Sequence, residues 1–470
     1  MRIFPAIVLI YLGTPYLWIV PPIWYSVVIL ILYAALIFYL YNIGVIGILV
    51  LIYWIVLMVP YIHLVPYIWF NFGVDTEPLI WEIAVNPYML DEKVINLTAA
   101  IGAVAAIGFI FAIYFSTLSC ASVERQSKIS FEARKTLPIK LWLIGLVIAI
   151  FLSWISVSDG SFFSTNSSIP FSYQMNFASA WLLSYAFLTF LFTDAVGDQV
   201  KFKRNLKLIL LCSTVTYISF IFQFLKGDRE IIPLIFGLIL IYFYWGVKDA
   251  ASRINWKIIF FGVIFLYLVS MIIGLVRSNS FGINSINDFL NLVYQSLFGF
   301  NFNISKTLHG TWSAVLLTDL SVAGDEINGV LPINYGKDYI NLALSIMPGF
   351  IADLLGYVRP VDSFSSVAWE MRYGIGGVHA TVLPFLNFRL PGVFLITGIW
   401  TYLIVMIEKK ALILSGPISK ALLGMLVTCA PHWIWYGEKV VINTIIMWAL
   451  IAFIYKHFSV MDSNVYVTGK

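Results

Sequence analysis

The segment FLKGDREIIP, residues 224–233, places four charged side chains and a glycine between two long apolar segments. LILLCSTVTYISFIFQFL (208–225) runs into it, and IIPLIFGLILIYFYWGV (231–247) leads out of it. An apolar helix of about 20 residues is long enough to cross the hydrocarbon core of a bilayer. The pattern therefore predicts two membrane helices joined by a short, charged turn.

The composition of the whole chain indicates the same class of protein. Apolar residues make up 61% of the 470 positions and charged residues 11%, and the mean hydropathy is +0.91. Soluble domains have about 45–50% apolar and about 25% charged residues. We therefore predict an all-α integral membrane protein in which residues 1–470 form a single polytopic membrane domain.

Windows of this length and polarity predict about twelve membrane helices, the first of them a retained N-terminal helix and not a cleaved signal. Most of the 28 Lys and Arg residues fall in loops that are cytoplasmic if the N-terminus lies inside the cell, as the positive-inside rule requires. We therefore expect both termini in the cytoplasm and the KGDRE turn on the outer face. The predicted spans are 3–20, 23–41, 44–64, 95–119, 141–157, 176–193, 208–225, 231–247, 258–276, 390–407, 418–436 and 440–455.

Two external segments are longer than ordinary turns, residues 65–94 and residues 277–389. Both contain aromatic residues and apolar clusters, which disordered loops lack. Such clusters are typical of short helices that lie on the membrane surface or dip into it. We therefore expect the functional groups on the outer face, beneath these two segments.

Several classes of site are excluded by the motifs. The three cysteines have no metal-ligand spacing, so neither a disulfide framework nor a zinc site is predicted. The chain contains no Gly-rich phosphate loop and no HExxH or GxSxG motif. We predict no metal and no cofactor, and the modest net charge of +4 gives no reason to expect a nucleic-acid partner.

Three basic residues near the outer face are candidates for binding a phosphate group. Lys226 and Arg229 lie in the KGDRE turn, and Arg277 ends the ninth predicted span. A guanidinium is planar and always charged, which suits bidentate contact with phosphate. The alternative is that these residues only anchor helix ends at the membrane interface.

A third group lies in WEMRYGIGGVHATVLPFLNFRLPG, residues 369–392, just before the tenth predicted span. It gathers Glu370, Arg372, His379 and Arg389 around a Gly-Ile-Gly-Gly bend. Glutamate and histidine are common general bases. The alternative is a loop re-entering the membrane surface in which a backbone carbonyl satisfies His379.

These features together resemble the bacterial O-antigen or oligosaccharide repeat-unit polymerases of the Wzy type. The resemblance rests on the KGDRE turn between two spans, on Arg277, and on the long loop that ends in GIGGVHATVLPFLNFRLPG. It covers the architecture from about residue 95 to the end of the chain. Many relatives carry a glutamate after the paired glycines, where this chain reads ATVLPFLN, so either Glu370 or His379 takes the role of base.

The resemblance implies an inner-membrane glycosyltransferase with its active site facing the periplasm, where residues 65–94 and 277–389 are then periplasmic loops. Its substrates are undecaprenyl-diphosphate-linked oligosaccharides, and a separate protein that regulates chain length is a candidate partner. In this interpretation Arg229, Arg277 and Lys226 bind the diphosphate without a metal. Glu370 or His379 deprotonates the attacking hydroxyl, and Arg372 positions the phosphate or the base.

Two alternative functions stay open from the sequence. An O-antigen ligase, or another lipid-linked glycan transferase, would share the topology and the basic outer site. A lipid-oligosaccharide flippase or other transporter would instead carry charged residues in the middle of several helices and two similar halves, neither of which is evident in the sequence.

Overall fold

The computed structural model describes seven helices and one short pair of strands. The described residues are 23–42, 46–62, 64, 91–120, 135–136, 304–344, 355–357, 379–414, 437–458 and 460–461, with isolated positions between 287 and 294 and between 422 and 433. The helices are α1 (Ile23–Asn42), α2 (Ile48–Ile62), α3 (Glu92–Cys120), α4 (Ile304–Ile327), α5 (Lys337–Leu344), α6 (Val382–Leu414) and α7 (Glu438–Phe458). Strands β1 (Lys135–Thr136) and β2 (Val460–Met461) are antiparallel, with Lys135 opposite Met461.

The described helices agree with the predicted all-α membrane class. Three of them contain stretches long and apolar enough to cross a membrane: Trp24–Tyr41, Glu92–Ser116 and Val382–Lys410. Helices α2 and α7 coincide with the predicted spans 44–64 and 440–455, and α2 carries a shorter apolar stretch, Leu49–Met58. The predicted spans 3–20, 141–157, 176–193, 208–225, 231–247 and 258–276 lie outside the described residues, and 418–436 is described only in part.

The chain divides into two compact units. One comprises Met1–Lys128, Ile304–Ile413 and Ala430–Asn443, and it contains α1 to α5, nearly all of α6 and the first turn of α7. The other comprises Ile129–Asn303, Leu414–Cys429 and Thr444–Lys470, and it contains the two strands and the rest of α7. His379 and the side chains that contact it belong to the first unit.

Helix α3 is the centre of the first unit, where it packs against α1, α2 and α4. Asp91 caps its start by accepting a hydrogen bond from the Lys93 backbone N–H (2.9 Å). Its middle is rich in alanine and glycine, and small residues let helix backbones approach closely in membranes. At Gly108 the approach is so close that a Cβ atom would lie 2.4 Å from the Phe394 carbonyl oxygen on α6.

Helices α2 and α6 run antiparallel, as the predicted order of spans requires. At one end, the Leu49 backbone N–H donates to Glu408 Oε1 (2.8 Å); at the other, the Tyr61 hydroxyl meets Thr381. The N–H groups of Gly47 and Val50 also bond the Glu408 carboxylate. Since the first N–H groups of a helix have no partner inside it, this buried carboxylate caps α2 from a distant helix.

Helix α4 differs from the short surface helices predicted for residues 277–389. It has 24 residues, and its described side chains from Val315 to Ala323 are buried, with the helix packed against α2 and α3. Small and hydroxyl-bearing residues such as Ser321 and Ala323 lower its hydropathy without preventing close packing. For this reason a hydropathy window does not detect it.

Helix α6 bends near its start, where the connection from α4 to α5 packs onto it. Pro391 lacks an N–H, and Arg389 has a non-helical backbone (φ 57°, ψ −151°). The Arg389 Nη2 atom donates to the Leu331 carbonyl (2.6 Å) and lies 2.7 Å from Glu326 Oε2. Arg389 therefore joins the end of α4 to the bend in α6.

The contact at Gly108 predicts a difference between two glycines at one helix crossing. Gly108→Ala is expected to lower the free energy of unfolding by about 1–3 kcal/mol, because the new methyl group meets a backbone carbonyl that cannot move aside. Gly398→Ala is the matched control, because its Cβ would be 3.4 Å from the nearest atom. Thermal unfolding in detergent measures both, and equal midpoints for the two variants would contradict this packing.

Candidate functional site

One of the predicted site residues, His379, lies within the described part of the chain. It is fully buried, with 0% of its surface exposed, directly before the start of α6. The other five, Glu370, Arg372, Arg229, Arg277 and Lys226, lie outside the described residues. The candidate site in the described structure is therefore centred on His379.

The Nδ1 atom of His379 faces a hydroxyl and a carboxylate. It lies 2.6 Å from Thr381 Oγ1 and 3.4 Å from Asp319 Oδ2 on α4. The ring of Tyr61, on α2, stands edge-on to the imidazole with 5.7 Å between centroids. Helices α2 and α4 and the turn before α6 thus contribute the neighbours of the imidazole, and all four side chains are buried.

The Nε2 atom of His379 faces a backbone carbonyl that has no N–H donor within its own helix. It lies 3.4 Å from the Val56 carbonyl oxygen. In a regular helix that carbonyl accepts from the N–H four residues on, but that residue is Pro60, which has no N–H. A carbonyl oxygen only accepts, so in the tautomer with hydrogen on Nε2 this N–H supplies the donor that Pro60 lacks.

The tautomer of His379 determines the role of Nδ1. In a neutral imidazole one nitrogen carries hydrogen and the other accepts. With Nε2 protonated, Nδ1 is the acceptor and the Thr381 hydroxyl donates to it. The Tyr61 hydroxyl lies 2.9 Å from the same Thr381 oxygen, so two hydroxyl groups form a hydrogen-bonded chain that leads to Nδ1.

Asp319 supplies negative charge beside the accepting nitrogen. Its side chain is 1% exposed and interacts with the Tyr61 hydroxyl, although neither carboxylate oxygen has a partner at full hydrogen-bond geometry among the described residues. A buried carboxylate is unfavourable without a compensating charge or hydrogen bond. Proton uptake at Nδ1 would create an imidazolium 3.4 Å from Oδ2, and that charge would compensate the carboxylate.

The cluster can therefore accept a proton and stabilise it. The arrangement differs from a serine-protease triad, in which the carboxylate and the hydroxyl bond to opposite nitrogens. Here Asp319 and Thr381 both face Nδ1, so the carboxylate stabilises the protonated ring while Val56 fixes its orientation. This is the chemistry of a general base and its charge partner.

Two further polar side chains, Asn387 and Arg389, join segments near the start of α6. The Asn387 amide bonds Asp338 Oδ2 (3.0 Å) and accepts from the Gly336 backbone N–H (2.9 Å), which fixes the start of α5. Arg389, which the sequence grouped with His379, has Leu331 and Glu326 as its polar partners on other segments. Arg389 therefore stabilises the contact between α6 and the end of α4 within the described structure.

A second buried acid, Glu438, lies at the start of α7. The Tyr339 hydroxyl donates to its Oε1 atom (3.4 Å). Burial raises the pKa of the Glu438 carboxyl to about 7, although its own backbone N–H and the Tyr339 hydroxyl lower it. The same burial, with the nearby Glu438 carboxylate, raises the pKa of Tyr339 far above its ordinary value.

Sequence reasoning missed Asp319, Thr381, Tyr61 and Glu438. Asp319 sits in TWSAVLLTDL, an apolar run with one acidic residue, and an isolated acid in such a run is a usable signal. Pro60, in an apolar helix, is a second usable signal, because a proline leaves the carbonyl four residues earlier without its helical donor.

Within the described residues, no group of three His, Cys, Asp or Glu side chains could hold a metal ion.

Comparisons with known proteins give no relative for this chain. No protein-family model matches it, and neither a curated protein nor a solved structure does.

The environment of Glu438 predicts a pH-dependent stability. With a folded-state pKa of about 7 and an ordinary value of 4.5, the folded protein binds more protons than the unfolded chain between these values. Stability should therefore fall as the pH rises through this window, by up to about 3 kcal/mol. Glu438→Gln should remove this part of the dependence and stabilise the protein at pH 8.

Unfolding midpoints between pH 5 and pH 8 measure the effect. Glu92→Gln is the matched control, because Glu92 also stands in the first turn of a helix but is exposed. A Glu438→Gln variant that keeps the full wild-type pH dependence would contradict a buried, proton-binding Glu438.

Proposed function

We propose that this protein is a membrane glycosyltransferase that polymerises undecaprenyl-diphosphate-linked oligosaccharide repeat units into a surface polysaccharide, such as O-antigen, at the periplasmic face of the bacterial inner membrane. Its apolar helices support a membrane location. The KGDRE turn, Arg277 and the glycine-rich segment before α6 support the reaction through the resemblance described above. The observation that carries the proposal is the buried cluster around His379, whose Nδ1 faces the Thr381 hydroxyl and the Asp319 carboxylate.

The reaction needs one base and one stabilised leaving group. An acceptor sugar hydroxyl attacks the anomeric carbon of the donor sugar and forms the new C–O bond. The bond from that carbon to the diphosphate oxygen breaks, and the lipid diphosphate leaves with the electron pair. The hydroxyl proton passes to the base, for which a well-placed side chain contributes about 10²–10⁴-fold in rate.

His379 suits the base because its ring is oriented before the reaction begins. Val56 directs the N–H of Nε2, so the free electron pair of Nδ1 always faces the hydroxyl chain from Thr381 to Tyr61. In the proposal this chain carries the acceptor proton inward, and Asp319 stabilises the imidazolium that results. Glu370 is then the alternative base, and Arg372 positions the phosphate or the base.

The diphosphate needs positive charge at the membrane surface. In the proposal Arg229 and Arg277 bind it from the outer ends of three spans, with Lys226 beside them. Preorganised donors of this kind each contribute about 3–4 kcal/mol to lowering a barrier. The leaving group and the donor sugar are already joined, so no nucleotide site is needed.

A second candidate function is a transporter of lipid-linked oligosaccharides, and the buried acids favour it. Asp319, Glu408 and Glu438 are each at most 4% exposed, and intramembrane carboxyl groups are typical of proton relays in transporters. A ligase remains the nearest alternative among enzymes. The reaction product distinguishes the three, because transport forms no glycosidic bond and a ligase joins glycan to a different acceptor.

Detergent-solubilised protein supplied with lipid-linked repeat units tests the function directly. The polymerase is expected to produce a ladder of lipid-linked oligomers without any membrane compartment. His379→Gln should lower kcat about 10²–10⁴-fold with little change in the acceptor KM, and Asp319→Asn should lower kcat to a smaller extent. His457→Gln, which changes an exposed histidine of α7, is the control. A wild-type protein that forms no glycosidic bond, or a fully active His379→Gln variant, would overturn the proposal.

The arginines are tested in cells that depend on the protein for long polysaccharide chains. Arg229→Ala and Arg277→Ala are expected to abolish elongation at unchanged protein level, with single repeat units still attached. Arg→Lys should restore little, since lysine lacks the bidentate fork. Normal chains in Arg229→Ala cells would remove this residue from the mechanism, and loss of even the single repeat would favour a ligase.

A further inference from the structure

Helix α5 has its polar side buried and its apolar side exposed. Asp338 is 4% exposed, whereas Ile340 and Leu344 are 63% and 49% exposed. A surface helix of a soluble domain shows the opposite arrangement, in which the apolar side faces the core and the charged side faces water. The exposed side of α5 therefore suits an apolar environment.

Hydrogen bonds to the start of α6 fix which side of α5 is buried. The Asn387 amide donates to Asp338 Oδ2 (3.0 Å), and its oxygen accepts from the Gly336 backbone N–H (2.9 Å). Asn334 also donates to Asp338 Oδ2 (2.6 Å). Rotating α5 about its axis would break these bonds and leave buried polar atoms unpaired, which is unfavourable. The apolar side of α5 is therefore held away from α6.

Helix α6 carries a stripe of exposed apolar side chains in the part that follows its bend. Residues 391–407 contain no charged residue. They extend for about 25 Å at a rise of about 1.5 Å per residue, compared with about 30 Å for the hydrocarbon core of a bilayer. Residues four apart share one face of a helix, and in a membrane span such an exposed face contacts lipid. The members of the stripe are Leu395, Ile399 and Leu403, which are 57%, 47% and 43% exposed.

The ring of Phe388 joins α5 to the beginning of this stripe. Phe388 is 40% exposed and stacks on Tyr339 with 6.4 Å between centroids. A Cβ atom on Gly336 would lie 3.2 Å from its Cζ atom. The partly exposed ion pair of Arg389 and Glu326 (2.7 Å) lies at the same end of α6. With residues 391–407 in the hydrocarbon core, α5 therefore lies at the level of the lipid headgroups.

We propose that the exposed side of α5 is a membrane-binding surface that lies in the interfacial layer of a phospholipid bilayer. Ile340 and Leu344 insert among the upper parts of the acyl chains, and Tyr335, just before the helix, lies at the headgroups. Amphipathic helices bind membranes in this way, with the apolar side buried at the boundary between headgroups and acyl chains. The inference goes beyond the proposed function and does not rest on it.

Continuity and residue type favour lipid over a protein partner. Because Phe388 contacts α5 and is itself exposed, the apolar side of α5 and the stripe on α6 are contiguous. Tyr335 is 79% exposed, and tyrosine is enriched at membrane–water interfaces. Lys337 is exposed at the first position of α5, where its charge suits lipid phosphates while its alkyl stem covers apolar surface.

Spin labelling measures the environment of α5 directly. The full-length protein, with its three cysteines replaced by alanine, receives a nitroxide label at Ile340→Cys or Leu344→Cys and is placed in phosphatidylethanolamine–phosphatidylglycerol nanodiscs. Oxygen concentrates among acyl chains and a nickel chelate stays in water, so the ratio of their collision rates with the label reports its depth. Ile399→Cys is the lipid reference. Glu92→Cys, exposed in the first turn of α3, is the aqueous reference.

The labels at 340 and 344 are expected to show an oxygen-to-nickel collision ratio severalfold above that of Glu92→Cys and below that of Ile399→Cys. A ratio equal to that of Glu92→Cys would place α5 in water and overturn the proposal. Few collisions with either reagent, the pattern expected of a label at the buried Leu342, would show that protein covers α5 and would also overturn it.

This experiment is independent of catalysis. It needs no substrate, so a negative result would leave the proposed function intact, and a protein without polymerase activity still tests the membrane-binding surface. Positions 340 and 344 are exposed, and substitutions at exposed positions change stability little. The two labelled proteins should therefore fold, and agreement between them is required for the proposal to stand.

Discussion

The described structure depends on one constraint: inside an apolar helix bundle, polar groups must satisfy one another because water is scarce. Pro60 leaves the Val56 carbonyl without its helical donor, and the Nε2 atom of His379 lies against that carbonyl (3.4 Å). This contact joins α2 to the start of α6. The other nitrogen of His379, Nδ1, lies beside the Thr381 hydroxyl and the Asp319 carboxylate, and the Tyr61 hydroxyl meets the same Thr381 oxygen.

Three of the buried acids meet the same constraint in different ways, and their partners indicate different roles. Glu408 accepts from the first backbone N–H groups of α2, so it acts as a structural cap. Asp319 has a histidine beside it, so its charge matters when that histidine gains a proton. Glu438 has the Tyr339 hydroxyl on one oxygen, and its burial raises its pKa to about 7, so its charge depends on pH.

The sequence predicts the helices that are uniformly apolar and misses the contacts between distant segments. Hydropathy identified α1, α2, α3, the main part of α6 and α7, because each is a continuous apolar run. It missed α4, whose serine, glycine and acidic residues lower its hydropathy although the helix is packed against α2 and α3. A backbone that packs through small residues needs few large apolar side chains.

Only part of the candidate site could be predicted, because its members lie far apart along the chain. His379 was recognised because a histidine after a glycine-rich bend is unusual in an apolar chain. Its partner Asp319 lies 60 positions earlier in the sequence, on a helix that hydropathy did not reveal, so no local pattern connects the two. Arg389 was grouped with His379 by proximity in sequence, but the bend at Pro391 directs its guanidinium to Leu331 and Glu326. The predicted diphosphate-binding residues lie outside the described part of the chain.

The orientation of the His379 ring is the central claim, and nitrogen NMR measures it most directly. The chain contains five histidines, so a ¹⁵N-histidine-labelled sample in lipid nanodiscs gives few signals, and His379→Gln identifies the one of interest. For the neutral ring we expect the tautomer with hydrogen on Nε2 and a hydrogen-bond-accepting Nδ1. A His379 ring that carries its hydrogen on Nδ1, or that exchanges freely between both tautomers, would contradict it.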